Sequence, residues 1–178
     1  TRLRVKAKPT IPHTNDCRDM RHDACSDFNN GGTVMTDFGR RVIVDADFDR
    51  TLIETMRAIQ LEGLDILTRL DLREHLKRHA NHECRRYVLL QVASPGLMLR
   101  ALQTDIESGP FLPITLGIYE LADGETAVEA TEPFASAISD AAWRRESPAL
   151  AELADRESAQ LARALARLQH VTTPVAKP

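Results

Sequence analysis

Three histidines and a cysteine fall inside the stretch "REHLKRHANHEC", Arg73–Cys84. His75 and His79 stand four apart, so a helix would set both imidazoles on one face in a chelating geometry. His82 and Cys84 follow within reach of a turn. Imidazole nitrogens with a thiolate suit zinc or copper. The surroundings argue the other way. Arg73, Lys77, Arg78 and Arg85 crowd the same stretch and disfavour a further cation. Leu72 and Leu76 mark the buried side of this helix, leaving His75 and His79 on its flanks. A second set, His13, Cys17, His22 and Cys25, is interleaved with Asp16, Asp19, Asp23 and Asp27. Zinc can fold a segment too small for its own core, yet this spacing matches no zinc module with a mechanical justification. The expectation is therefore no cofactor, with zinc or copper as the alternative.

Other chemistry is sparse. There is no Gly-x-Ser-x-Gly elbow, no Gly-x-Gly-x-x-Gly and no P-loop, and Gly31-Gly32 precedes no phosphate-binding helix. Asp45, Asp47 and Asp49 alternate and could offer oxygen ligands to a hard cation. Helix capping and solvation account for them more cheaply. Ser94-Pro95 opens a helix, whose free N–H groups and positive dipole end could take a small anion, with Arg85 or Arg86 assisting. Ordinary capping by Ser94 is the plainer account. Arg163 and Arg167, four apart, read as a solvated face, and Trp143 as a packing or dimer anchor. No catalytic residue is assigned, and an enzyme is not the expectation.

The elements that must position these residues are legible from Arg40 onward. Val42, Val44 and Ala46 alternate as a strand. Asp49 is the expected cap of a helix carrying Leu52, Met56 and Ile59, with Gly63 as its left-handed stop. A strand over Leu64–Leu70 leads to a short helix opened by Asp71-x-x-Glu74 and closed by Asn81. Tyr87–Ala93 is a buried strand, and Leu97, Met98, Ala101 and Leu102 line the helix after Ser94-Pro95. Phe111–Leu121 and Thr126–Thr131 flank a turn at Ala122–Glu125 as a hairpin. A short helix is expected over Pro133–Asp140. The last helix, from Ser147-Pro148, carries Leu150, Leu153, Leu161, Leu165 and Leu168 on one stripe. The order β-α-β-α-β-α-β-β-α-α predicts an α+β two-layer sandwich, a mostly antiparallel sheet with helices packed on one face.

Composition bounds the rest. With 178 residues, 43% hydrophobic and 28% charged, the chain suits one globular domain plus a tail. Residues 1–36 show no helical or strand period and are expected to be a disordered tail, residues 37–170 the domain, and residues 171–178 a frayed end. A net charge of −3 gives no basic excess for nucleic acid. No apolar run approaches the ~20 residues of a membrane span, and the first residues lack the apolar core of a secretory signal. Three scattered cysteines fit a reducing, cytoplasmic setting.

Several ungapped blocks together resemble the bacterial and archaeal family known as domain of unknown function 302, over about residues 40–170. "FDRTLIETMRAIQLEGLDIL" is similar to the family's opening helix, "YVLLQVASPGLMLRAL" to its tyrosine-led strand and proline turn, and "GPFLPITLGIYE" and "EATEPF" to its later blocks. The resemblance implies an α+β fold and homodimerisation, and no established reaction. It implies a buried, inert thiol at Cys84, where the family usually has an apolar aromatic. It also exposes two departures. Family members often carry Cys-Asn-Pro at the turn and Leu-Pro-Cys-Asn in the later strand. Here these are Ala93-Ser94-Pro95 and Leu112-Pro113-Ile114-Thr115. Chemistry needing those thiolates is closed to this chain. The functional expectation is a non-enzymatic, homodimeric module for a small ligand or a protein partner, the alternative being a metal-binding or sulfur-linked protein.

Overall fold

The computed structural model describes residues 33–36, 39–121, 124–133 and 141–172. Six strands and five helices follow in the order β1 (Val34–Thr36), β2 (Gly39–Val44), α1 (Phe48–Leu61), β3 (Asp65–Asp71), α2 (Leu72–Ala80), β4 (Tyr87–Ala93) and α3 (Pro95–Thr104). A 3₁₀ turn at Ile106–Phe111 then leads to β5 (Ile114–Glu120), β6 (Thr126–Ala130), α4 (Ala141–Glu146) and α5 (Pro148–Leu168). The strands form one sheet in the order β1-β2-β6-β5-β4-β3, and every neighbouring pair is antiparallel. This is an α+β sandwich.

Strand register divides the sheet into two chemically different faces. Val42 lies opposite Val128, Val128 opposite Ile118, and Ile118 opposite Val88. All four are fully buried, and they pack with Phe48, Leu52 and Ile59 of α1 and with Leu161, Leu165 and Leu168 of α5. The period of two places every second strand residue on this face, under the helix layer. A smaller apolar cluster joins Ala101 of α3 and Leu112 to Leu150, Leu153 and Ala154 of α5.

Local signals set the helix ends. The Asp47 carboxylate accepts from the Arg50 N–H at 3.0 Å and caps α1. The expected cap, Asp49, instead lies in the first turn and pairs with Arg86. At the other end Gly63 takes φ +77°. Its N–H donates to the Gln60 carbonyl and the Leu64 N–H to that of Ile59, the Schellman pattern that only a left-handed residue allows. Asp71 caps α2 through the Glu74 N–H at 3.0 Å, and Asn81 closes it at φ 48°.

Four further expectations change. Val34–Thr36, placed in the tail, pairs with β2. Phe111 belongs to the 3₁₀ turn, and β5 begins only at Ile114, immediately after Pro113, which has no N–H for a ladder. Leu72 and Leu76 are half-exposed, and no residue of α2 is buried. Val171 packs on the core and Thr172 bridges Asp45, so the fold continues past residue 170. The helix expected over Pro133–Asp140, apart from Pro133 itself, most of the tail and the last six residues lie outside the described residues.

Candidate functional site

The second face of the sheet carries the densest set of polar groups. Arg41 of β2 lies opposite Glu129 of β6, which lies opposite Gly117 of β5, with Leu89 of β4 and Leu70 of β3 continuing the row. Arg41 Nη2 donates to both Glu129 oxygens at 3.2 and 3.0 Å. Thr36 Oγ1 donates to the same carboxylate at 2.9 Å and Tyr119 Oη at 3.2 Å. The Tyr87 and Tyr119 rings are tilted, with centroids 5.2 Å apart. Gly117 makes room for Tyr87, because a Cβ there would meet Tyr87 Oη at 2.6 Å. Burial raises both phenols above the usual tyrosine range; Arg41 opposes this and the Glu129 charge adds to it. Neither tyrosine is therefore poised to lose a proton near neutral pH. The next row toward β1 and β3 is hydroxyl- and amide-rich: Thr36, Thr115, Gln91 and Thr68, the last donating to Gln91 Oε1 at 3.0 Å.

A second site lies at the Ser94-Pro95 turn, and it differs from the expected one. The Ser94 side chain makes no capping bond. Its N–H donates instead to Glu157 Oε1 of α5 at 2.9 Å, and Glu157 is only 4% exposed. Burial pushes the Glu157 carboxyl up to about 7, and the Ser94 N–H acts against that rise.

The anion site expected from Ser94, Arg85 and Arg86 does not assemble. The seven-residue strand β4 separates the arginines from Ser94 by roughly 25 Å at ~3.3 Å per residue. Arg86 is bound to the Asp49 carboxylate and lies 4.3 Å above the Phe48 ring centroid. That bond holds the Asp49 carboxyl below its usual range. Arg85 is half-buried at the same end of β4. Of the opening stretch, His75 and His79 do meet, with ring centroids 4.6 Å apart. Both are exposed, while His82 and Cys84 are half-buried rather than fully buried. Among the described residues no three His, Cys, Asp or Glu side chains converge as a metal site, so His75, His79, His82 and Cys84 do not form one ligand set. His13, Cys17, His22 and Cys25 lie outside the described residues. Arg163 and Arg167 are not simply solvated, since both donate to Glu62, at 2.7 and 2.9 Å, and tie α5 to the end of α1.

Two signals could have found the residues that were missed. The leucine stripe of α5 skips from Leu153 to Leu161, and Glu157 fills the gap on the same face. On the strands, the positions alternating with the buried ones hold Arg41, Glu129, Tyr87 and Tyr119. Only the pairing register shows that they meet.

A family model described as "Domain of unknown function DUF302" matches residues 40–168. The chain belongs to the DUF302 family. The crystal structure of an uncharacterized conserved protein DUF302 from Bacillus stearothermophilus matches at a TM-score of 0.59 with 25% identity, covering 72% of this chain and 95% of that one. No curated protein matches. In this DUF302 chain the two positions without the resembled thiols, Ala93 and Ile114, lie at the ends of neighbouring strands, both fully buried.

Proposed function

We propose that this DUF302 protein is a non-enzymatic interaction module that forms a homodimer through the second face of its sheet. The single observation behind this reading is that the charge on that face is closed on itself. Glu129 is satisfied by Arg41, Tyr119 and Thr36, so another surface can cover it without stranding an unpaired charge. Around that pair lie Tyr87, Tyr119, Leu89 and Ile43, all half-buried, and none belongs to either buried apolar cluster. Tyrosines beside an arginine, with apolar neighbours, are the composition of interface centres. A two-fold pairing suits a patch that is neutral and mixed, because the same residues then serve both copies. The reading gives no role to a nucleophile or a metal. Sparse cysteines fit a cytoplasmic setting. Among the described residues no helix is long and apolar enough to cross a membrane.

Light scattering on the eluting protein tests this. The wild type is expected to run at twice the chain mass. Leu89→Arg, which puts an unpaired charge on the face, is expected to run at the chain mass with its circular dichroism unchanged. Ile53→Arg, on the exposed side of α1, is expected to remain dimeric. A monomeric wild type, or dissociation by Ile53→Arg alone, contradicts the proposal.

A further inference from the structure

Glu157 sits at the seam between the two apolar clusters. One turn before it on α5, Leu153 and Ala154 pack with Ala101 and Leu112. One turn after it, Leu161 joins the main core. A carboxyl from one helix therefore holds the N–H of Ser94, the residue that opens another helix, α3, and makes no side-chain capping bond of its own. Charged groups on the surrounding elements are engaged elsewhere or point to solvent. Arg40 of β2 binds Glu132 and Ser158, and Ser158 Oγ also donates to Glu132 at 2.7 Å. Arg156 of α5 pairs with Glu152, and the Gln160 amide donates to the Glu62 carbonyl. Arg100 of α3, and Asp105 and Glu107 at the 3₁₀ turn, are exposed. Among the described residues, burial raises the Glu157 carboxyl and the Ser94 N–H acts against that rise, with no basic side chain bonded to it.

We infer that Glu157 is a proton-operated clasp between α5 and the start of α3. It keeps the Pro95–Phe111 excursion docked while it carries a proton, and lets that excursion loosen once it is charged. In the neutral acid the unprotonated oxygen still accepts from the Ser94 N–H, and the apolar surroundings impose little cost. The carboxylate demands water, and parting α3 from α5 admits it. The excursion is suited to move because it docks through the smaller cluster, by Ala101 with Leu97, Met98 and Leu102 beside it. It also carries Leu99, Ile106 and Phe111 exposed. Loosening it would change an apolar surface separate from the sheet face.

The sign follows from linkage. Docked, the carboxyl ionises near 7; released to water it ionises near 4.5. Opening therefore sheds a proton and becomes easier as pH rises through that window. Hydrogen exchange read by NMR, corrected for intrinsic exchange rates, measures it. The Met98 and Asp105 amides, bonded to Ser94 and Ala101, are expected to show opening that grows on the order of thirtyfold between pH 5.5 and pH 8. Amides of Leu90 and Val128 in the sheet are expected to open only with the whole fold, at a higher free energy than the α3 amides at every pH, and Glu157→Gln is expected to abolish the rise in the α3 amides. Equal behaviour of α3 and sheet amides, or the same rise in Glu157→Gln, overturns the clasp. Should that variant not fold, a carboxyl-carbon titration of the wild type decides: a midpoint near 7 is expected, and one near 4.5 overturns it.

Discussion

Gly117 fixes the position of the Tyr87 ring, because the space a Cβ would fill is taken by the phenol. Gly117→Ala is expected to push Tyr87 off Tyr119 and cost about 1–2 kcal/mol. The same change in a Tyr87→Ala background is expected to cost little, since the obstructing atoms belong to a side chain. Urea denaturation of the four proteins measures the coupling, and an equal cost in both backgrounds contradicts the contact. Glu157 acts on stability with a defined sign. Its folded value near 7 lies above the ordinary 4.5, so its contribution is full below the ordinary value and is lost as pH rises through the folded one. Between pH 4.5 and pH 8 the wild type is expected to lose up to about 3 kcal/mol from this group. Glu157→Gln is expected to flatten that part of the profile. Parallel profiles in chemical denaturation contradict it.

Helix ends make predictions at the next scale. Asp47→Ala is expected to cost about 1 kcal/mol through loss of the α1 cap. Asp49→Ala gives up only an exposed pair with Arg86 and is expected to cost less. The reverse order in thermal melts would return the cap to Asp49. These two aspartates also show how far the sequence can be read. Both have the right chemistry two positions apart, and only the backbone dihedrals decide which one is outside the helix. Where a rule names a residue uniquely, as with Gly63, Asn81 or Asp71-x-x-Glu74, reading and structure agree. The 3₁₀ turn at Ile106–Phe111 was not legible, since six residues with one proline and one glycine carry no period. The three-residue strand β1 was equally unreadable, being shorter than any alternation that could announce it.

For the molecule as a whole, hydrophobic periodicity was sufficient for the α+β sandwich, because that rests on which residues are buried, while the family was legible only as a resemblance of several ungapped blocks. It was insufficient for the site. Ser94, Arg85 and Arg86 are close in sequence but lie at opposite ends of an extended strand. Arg41, Tyr87, Tyr119 and Glu129 are far apart in sequence, yet the antiparallel register gathers them on one face. That gathered face is the surface on which two copies are proposed to meet, and one experiment reads it directly. Mixing carbon-13-labelled with unlabelled protein, and recording only proton–proton contacts between the two, identifies the atoms that face each other. Contacts from the Tyr87 and Tyr119 rings of one copy to the Leu89 and Ile43 methyls of the other are expected. Contacts confined to α1 and α5, or none at all, would contradict the account.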